Sequence, residues 1–188
     1  SISFTAHVAP LQLRTRYRDA MSHYTIRTTK RPRGFEVATA EGQTLAQIRQ
    51  PSVFSQNMEG TCEGSGVRIV GEGFWRSRYR IEMNGLPVGT IGTGTWGNLK
   101  IALNAADRAP VELEFANAGP WWSRYQLRLD KNMPLLEVRQ VFRWSSFTTD
   151  FEVEVKSAGI ATDQMALMLV VCGFCTRLKR ARAHAAAG

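Results

Sequence analysis

Few residues of this 188-residue chain combine types and spacings that could do chemistry. Gly92-Thr-Gly94-Thr-Trp-Gly97 has the spacing of a dinucleotide-binding turn and comes after an apparent strand, Pro87 to Ile91. Such a turn works only where a helix begins and points its N-terminus at a pyrophosphate, inside a βαβ unit with an acid further on. Asn98 to Arg108 would have to supply that helix, and Glu112 or Glu114 the acid; on this reading the chain is a nucleotide-dependent oxidoreductase. The rest of the chain reads as strand upon strand with no second crossover helix, so a tight hairpin or bulge is the better account of the glycines.

Cys172-Gly-Phe-Cys175 has redox-motif spacing. A reactive pair normally sits at an exposed helix start, where the dipole lowers the thiol pKa. Here the pair ends a wholly apolar run, which makes both cysteines small core hydrophobes. A zinc site needs four ligands, and Cys62 with His7, His23 and His184 has no recognisable metal spacing. No Gly-x-Ser-x-Gly elbow occurs, and Glu112 with Glu114 reads as a solvated strand edge. No catalytic residue, metal or cofactor is therefore expected, and the chain reads as a non-enzymatic binding domain.

Charge is the stronger signal. The formal net charge is +8, and the excess lies mainly in Arg14 to Arg33 and in the tail, where Arg177, Lys179, Arg180 and Arg182 have no acid between them. Basic clusters attract phosphates on lipid, nucleic acid or soluble ligands, although scattered arginines also serve solubility alone. Alternation along a strand puts Arg76, Arg78 and Arg80 on one wet face, and Arg124 and Arg128 on another. With Arg31 and Arg33, these are the candidate contacts for an anionic ligand. Trp121-Trp122, after Gly119-Pro120, is either core and turn packing or an exposed pair able to enter a membrane interface or stack on a base. The stacking reading, joined to the basic amino segment, makes nucleic-acid binding an alternative function.

The elements that would position these groups are mostly strands. His23 to Thr29, Phe35 to Ala40, Thr44 to Arg49, Gly66 to Val70 and Trp75 to Met83 alternate apolar and polar residues between Gly and Pro turns. The same alternation turns Tyr125, Leu127 and Leu129 inward, then Leu136, Val138, Phe142 and Trp144, then Phe147, Phe151, Val153 and Val155, with Asp150, Glu152 and Glu154 outward. A hairpin opened by an aromatic residue recurs at Phe35, Tyr79 and Tyr125. Near the end, Met165 to Cys175 is apolar all round, so it predicts a helix with no wet face. About twelve uncharged residues are too few to cross a bilayer, so the helix belongs in a core. One single domain over 1–188 is expected, an all-β closed antiparallel barrel of about 10–12 strands wrapped around that helix (about 162–182), with a basic amino segment (about 1–22).

That layout resembles the tubby C-terminal-like fold, shared by tubby domains, LURP-one-related proteins and phospholipid scramblases. The resemblance runs from about His23 to Arg182 and rests on the strand pattern, the hairpin repeat and the helix Met165 to Cys175. It implies binding of phosphoinositide or other anionic lipid head groups by basic barrel residues. Asp150, Glu152 and Glu154 do not have calcium-loop spacing, so scrambling is not implied. Three cysteines form no even framework, and Ser1 to Pro10 lacks the pattern of a signal peptide. A cytoplasmic protein, peripheral to a membrane surface and not an integral membrane protein, is the expectation.

Overall fold

The computed structural model describes residues 23–188 apart from 53–54, 74–76, 95–96, 106–107, 120–122, 132, 146 and 158–161. Arg76, Trp121, Trp122 and the basic amino segment before His23 therefore lie outside the described residues.

Among the described residues, twelve strands precede one helix. They are β1 (His23–Lys30), β2 (Arg33–Thr39), β3 (Thr44–Arg49), β4 (Met58–Cys62), β5 (Ser65–Glu72) and β6 (Arg78–Met83), then β7 (Leu86–Thr93), β8 (Leu99–Ala105), β9 (Arg108–Asn117), β10 (Arg124–Asp130), β11 (Met133–Arg143) and β12 (Thr148–Val155). The helix, α1, spans Thr162–Ala187. Each strand pairs antiparallel with the next, and β1 closes the barrel on β12 through His23↔Glu154 to Ile26↔Phe151. Closure matters because it removes the free edges that an open sheet of this length would expose.

Local chemistry explains the hairpins. Between β6 and β7, Asn84 and Gly85 both have positive φ, 51° and 79°, as a tight two-residue hairpin turn requires. The Asn84 side-chain carbonyl also accepts the Gly66 N–H at 2.8 Å.

The interior is filled by the helix. Ala166 and the stretch from Met168 through Thr176 are buried, as are Leu178 and Lys179, which accounts for an apolar run with no wet face. The three aromatics that open the repeated hairpins, Phe35, Tyr79 and Tyr125, are buried on β2, β6 and β10, every fourth strand of the twelve. Each meets α1. Phe35 lies against Gly173, Tyr79 makes an edge contact with Phe174 at 4.9 Å, and Lys179 sits 5.9 Å from the Tyr125 ring centre.

Several expectations need correction. Where the glycine motif requires a helix from Asn98 to Arg108, Leu99–Ala105 is a strand, β8, which pairs with β7 and β9. Its alternating Leu99, Ile101 and Leu103 all bury into the barrel, which decides for a strand. Leu129 faces out, because register shifts on either side of Arg128 break the alternation. Phe142 keeps the phase of Leu136 and Val138, but β11 outruns the core at the barrel rim and leaves it exposed, together with Trp144 in the turn beyond. Phe147 occupies that turn at φ 49° and is exposed, not inward.

Asp150 is buried, where alternation predicts an outward carboxylate. Backbone pairing of β1 with β12 stops at Ile26, and the Asp150 carboxylate takes over as acceptor for the Thr28 N–H at 2.9 Å. Its other oxygen meets Arg143 Nη2 at 2.9 Å.

Candidate functional site

Strand direction sets two ends. The β1–β2 turn, the loop after β3, the end of β7, the end of β9 and the β11–β12 turn all lie at one rim. The C-terminal half of α1 leaves the barrel there. Arg177 donates to Gly34 O at 3.2 Å and to Gln50 Oε1 at 3.4 Å, Lys179 donates to Asn117 Oδ1 at 2.8 Å, and Arg182 donates to Thr93 Oγ1 at 3.3 Å.

Beside the emerging helix is a cavity of about 300 Å³. Met58, Phe151, Phe174 and Leu178 give it apolar walls, and Thr28, Gln50 and Gln56 add hydrogen-bonding groups. Its basic side chains are Arg177, Arg180 and His184, one to two helical turns apart on the same face of α1. Among the described residues, none that lines it is acidic.

The cations crowd one another. Burial, then the neighbouring guanidiniums of Arg33 and Arg180, lower the pKa of Arg177, and no carboxylate is among the groups acting on it. Burial likewise lowers that of Lys179. Arg180 lies 6.0 Å from the centre of the Phe151 ring. Arg177 and Arg180 lie more than a turn before the end of α1, where only His184 is placed to interact with the helix dipole. Arg33 comes from β2, where the dipole of α1 gives no reason for it.

Of the candidate contacts for an anionic ligand, Arg33 joins this cluster. Arg31 lines a separate and larger groove over β1 to β5, with Arg49, Glu59 and Arg68 of mixed charge. Arg80 is tied to Glu82 at 2.9 Å and Glu72 at 3.4 Å. Arg78 starts β6 opposite Glu72. Arg128 contacts Glu114 at 2.8 Å, and Asn98 donates to the other oxygen of that carboxylate. Arg124 stands among His23, Glu137, Arg139 and Glu152. The strand arginines are thus spread around the wall, on strands β6 and β10 with three others between them, and do not converge. Arg180 and His184 escaped the sequence reading as site residues, although the acid-free tail was the signal for them.

The glycine motif serves a turn. Gly94 N–H donates to Asn98 O at 2.7 Å, Gly97 has φ 73°, and the next element is a strand that offers no helix N-terminus to a pyrophosphate. Cys172 and Cys175 are fully buried within α1, and burial pushes both thiols well up. Among the described residues no group of three or more His, Cys, Asp or Glu could hold a metal ion, and no helix is long and apolar enough to cross a membrane.

Fold and site together define a twelve-stranded closed antiparallel barrel around a C-terminal helix, with a basic cavity at one rim. Its architecture is similar to the X-ray structure of a protein from Arabidopsis thaliana, at 11% identity and a TM-score of 0.51, over 82% of this chain and 92% of that one. At that identity the likeness speaks for the fold alone. No family model matches the sequence, and no curated protein matches it.

Proposed function

We propose that the chain is a non-enzymatic binding domain with a tubby-like barrel, and that it takes phosphate groups of an anionic ligand at the rim cavity. One observation carries this: Arg177 and Arg180, with Arg33 beside them, crowd around a cavity that no carboxylate among the described residues lines. An anion there would relieve the repulsion among the guanidiniums, and arginine forks match phosphate oxygens in pairs. The apolar walls suit the carbon skeleton of a head group.

Titration of the full chain with inositol trisphosphate tests it. Saturable binding and a rise in melting temperature are expected, both lost in Arg180→Glu and kept in Arg80→Glu, whose side chain is engaged on the wall. Absence of binding to the unaltered chain at low salt would refute the reading. Retention of single-stranded oligonucleotide in preference to inositol trisphosphate would favour nucleic acid in its place.

A further inference from the structure

The turn between β11 and β12 carries an aromatic cluster that the barrel core does not use. Trp144 is 76% exposed, Phe147 72% and Phe142 43%. They pack on one another, with Phe142 edge-on to Trp144 at 4.9 Å and to Phe147 at 6.4 Å. Phe147 holds φ 49°, a conformation uncommon outside glycine and unusual for a bulky residue, so the turn presents its ring outward against the backbone's preference.

This cluster stands beside the cationic cavity. Phe142 is opposite Thr149, whose carbonyl accepts the Thr28 hydroxyl, and Thr28 lines the cavity. Phe151, two residues on, is another cavity wall and carries Arg180 near its ring. One rim thus offers a projecting aromatic knob and, next to it, guanidiniums without a facing acid. Aromatic rings prefer the head-group layer of a bilayer, and basic groups at the same depth meet lipid phosphates.

We infer that the barrel docks end-on against an anionic phospholipid surface, with Trp144 and Phe147 entering the interfacial layer while Arg177 and Arg180 hold lipid phosphates. The inference rests on the phosphate-binding reading and adds to it a partner, an orientation and a wedge. A lipid surface fits better than a second copy of the chain because the neighbouring cavity is positive and, among the described residues, has no carboxylate that could answer another copy's arginines.

The test compares the full chain with Trp144→Ser/Phe147→Ser, in vesicles of phosphatidylcholine containing phosphatidylserine and, separately, in inositol trisphosphate. Both side chains are exposed, so the variant keeps the fold, which circular dichroism verifies. The variant is expected to bind vesicles at least about tenfold more weakly, since each ring buries apolar surface on insertion, while its affinity for inositol trisphosphate is unchanged. A vesicle-induced blue shift of tryptophan emission should largely disappear in Trp144→Phe. Equal vesicle binding by the variant would overturn the inference and leave phosphate binding standing, as would a chain that binds inositol trisphosphate but no vesicle. Failure of both ligands would remove the underlying reading as well. Concentration-dependent dimerisation abolished by the double substitution would assign the knob to a second copy and overturn the lipid assignment.

Discussion

The Phe35 ring lies so close to the Gly173 backbone that a Cβ at position 173 would come within 2.6 Å of its Cε2 atom. Glycine in the middle of a helix costs about 1 kcal/mol relative to alanine, so the residue is retained against its own propensity. The close approach brings β2 and α1 together at the barrel centre.

Gly173→Ala is accordingly expected to destabilise the chain despite its helical gain. Overpacking a filled core costs roughly 1–3 kcal/mol, and the buried Phe35 ring has little room to move, so a net loss of up to about 2 kcal/mol should appear in urea denaturation. Phe35→Leu in the same chain should recover part of the loss, as a double-mutant cycle would reveal. A more stable Gly173→Ala would mean that the approach of β2 to α1 is looser than described.

A chain ending before Thr162 should lose cooperative unfolding. The side chains that face α1, among them Phe35, Tyr79 and Tyr125, would then line an empty barrel, and a void of that size cannot be tolerated in a packed interior. Far-UV circular dichroism with a thermal melt decides it: a sharp transition in the shortened chain would show that the barrel stands without its helix.

Alkaline pH should weaken the fold. Burial, and after it the nearby Glu63, raises the Cys62 thiol from 9.0 to about 11, and burial raises Cys172 and Cys175 further. The native chain then holds protons that the unfolded chain releases above about pH 9. Stability is fully present below that pH and falls as pH rises, by up to about 1.4 kcal/mol per pH unit for each thiol. Cys62→Ala should flatten the part of the decline between pH 9 and about 11. In the same experiment a thiol reagent at neutral pH should label none of the three until denaturant is added.

Asp150→Ala should cost about 1–3 kcal/mol, because it leaves the Thr28 N–H without its acceptor and Arg143 without its partner. Asp150→Asn keeps an acceptor for Thr28 and should lose less. Equal losses in the two variants, measured by denaturation, would place the whole effect in the ion pair.

Where one face of a strand is buried, the sequence is legible. Phe35, Tyr79 and Tyr125 announce their hairpins, and Met165 to Cys175 announces a helix needing apolar contact all round, because both patterns are set by the need to leave water. Alternation misplaces Phe142 and Asp150 because it tells the phase of a strand but not where the core ends or where a ladder parts. The cavity is least visible. Arg33 and Arg180 are far apart in the chain and both come to act on Arg177 only in the folded barrel, whereas Arg78 and Arg80 are neighbours whose spacing says nothing of the carboxylates beside them.

Pairing of the first strand with the twelfth, around a helix later still, also has a meaning for how the chain is made. A ribosome delivers β1 long before β12, and α1 emerges after both, so no shorter length can close the sheet and fill it. The contacts that complete the fold are among the longest in sequence, which slows the final step. Until then a nascent sheet offers an apolar face and two open edges to whatever is nearby, so synthesis of this protein should lean on holding chaperones until α1 has emerged.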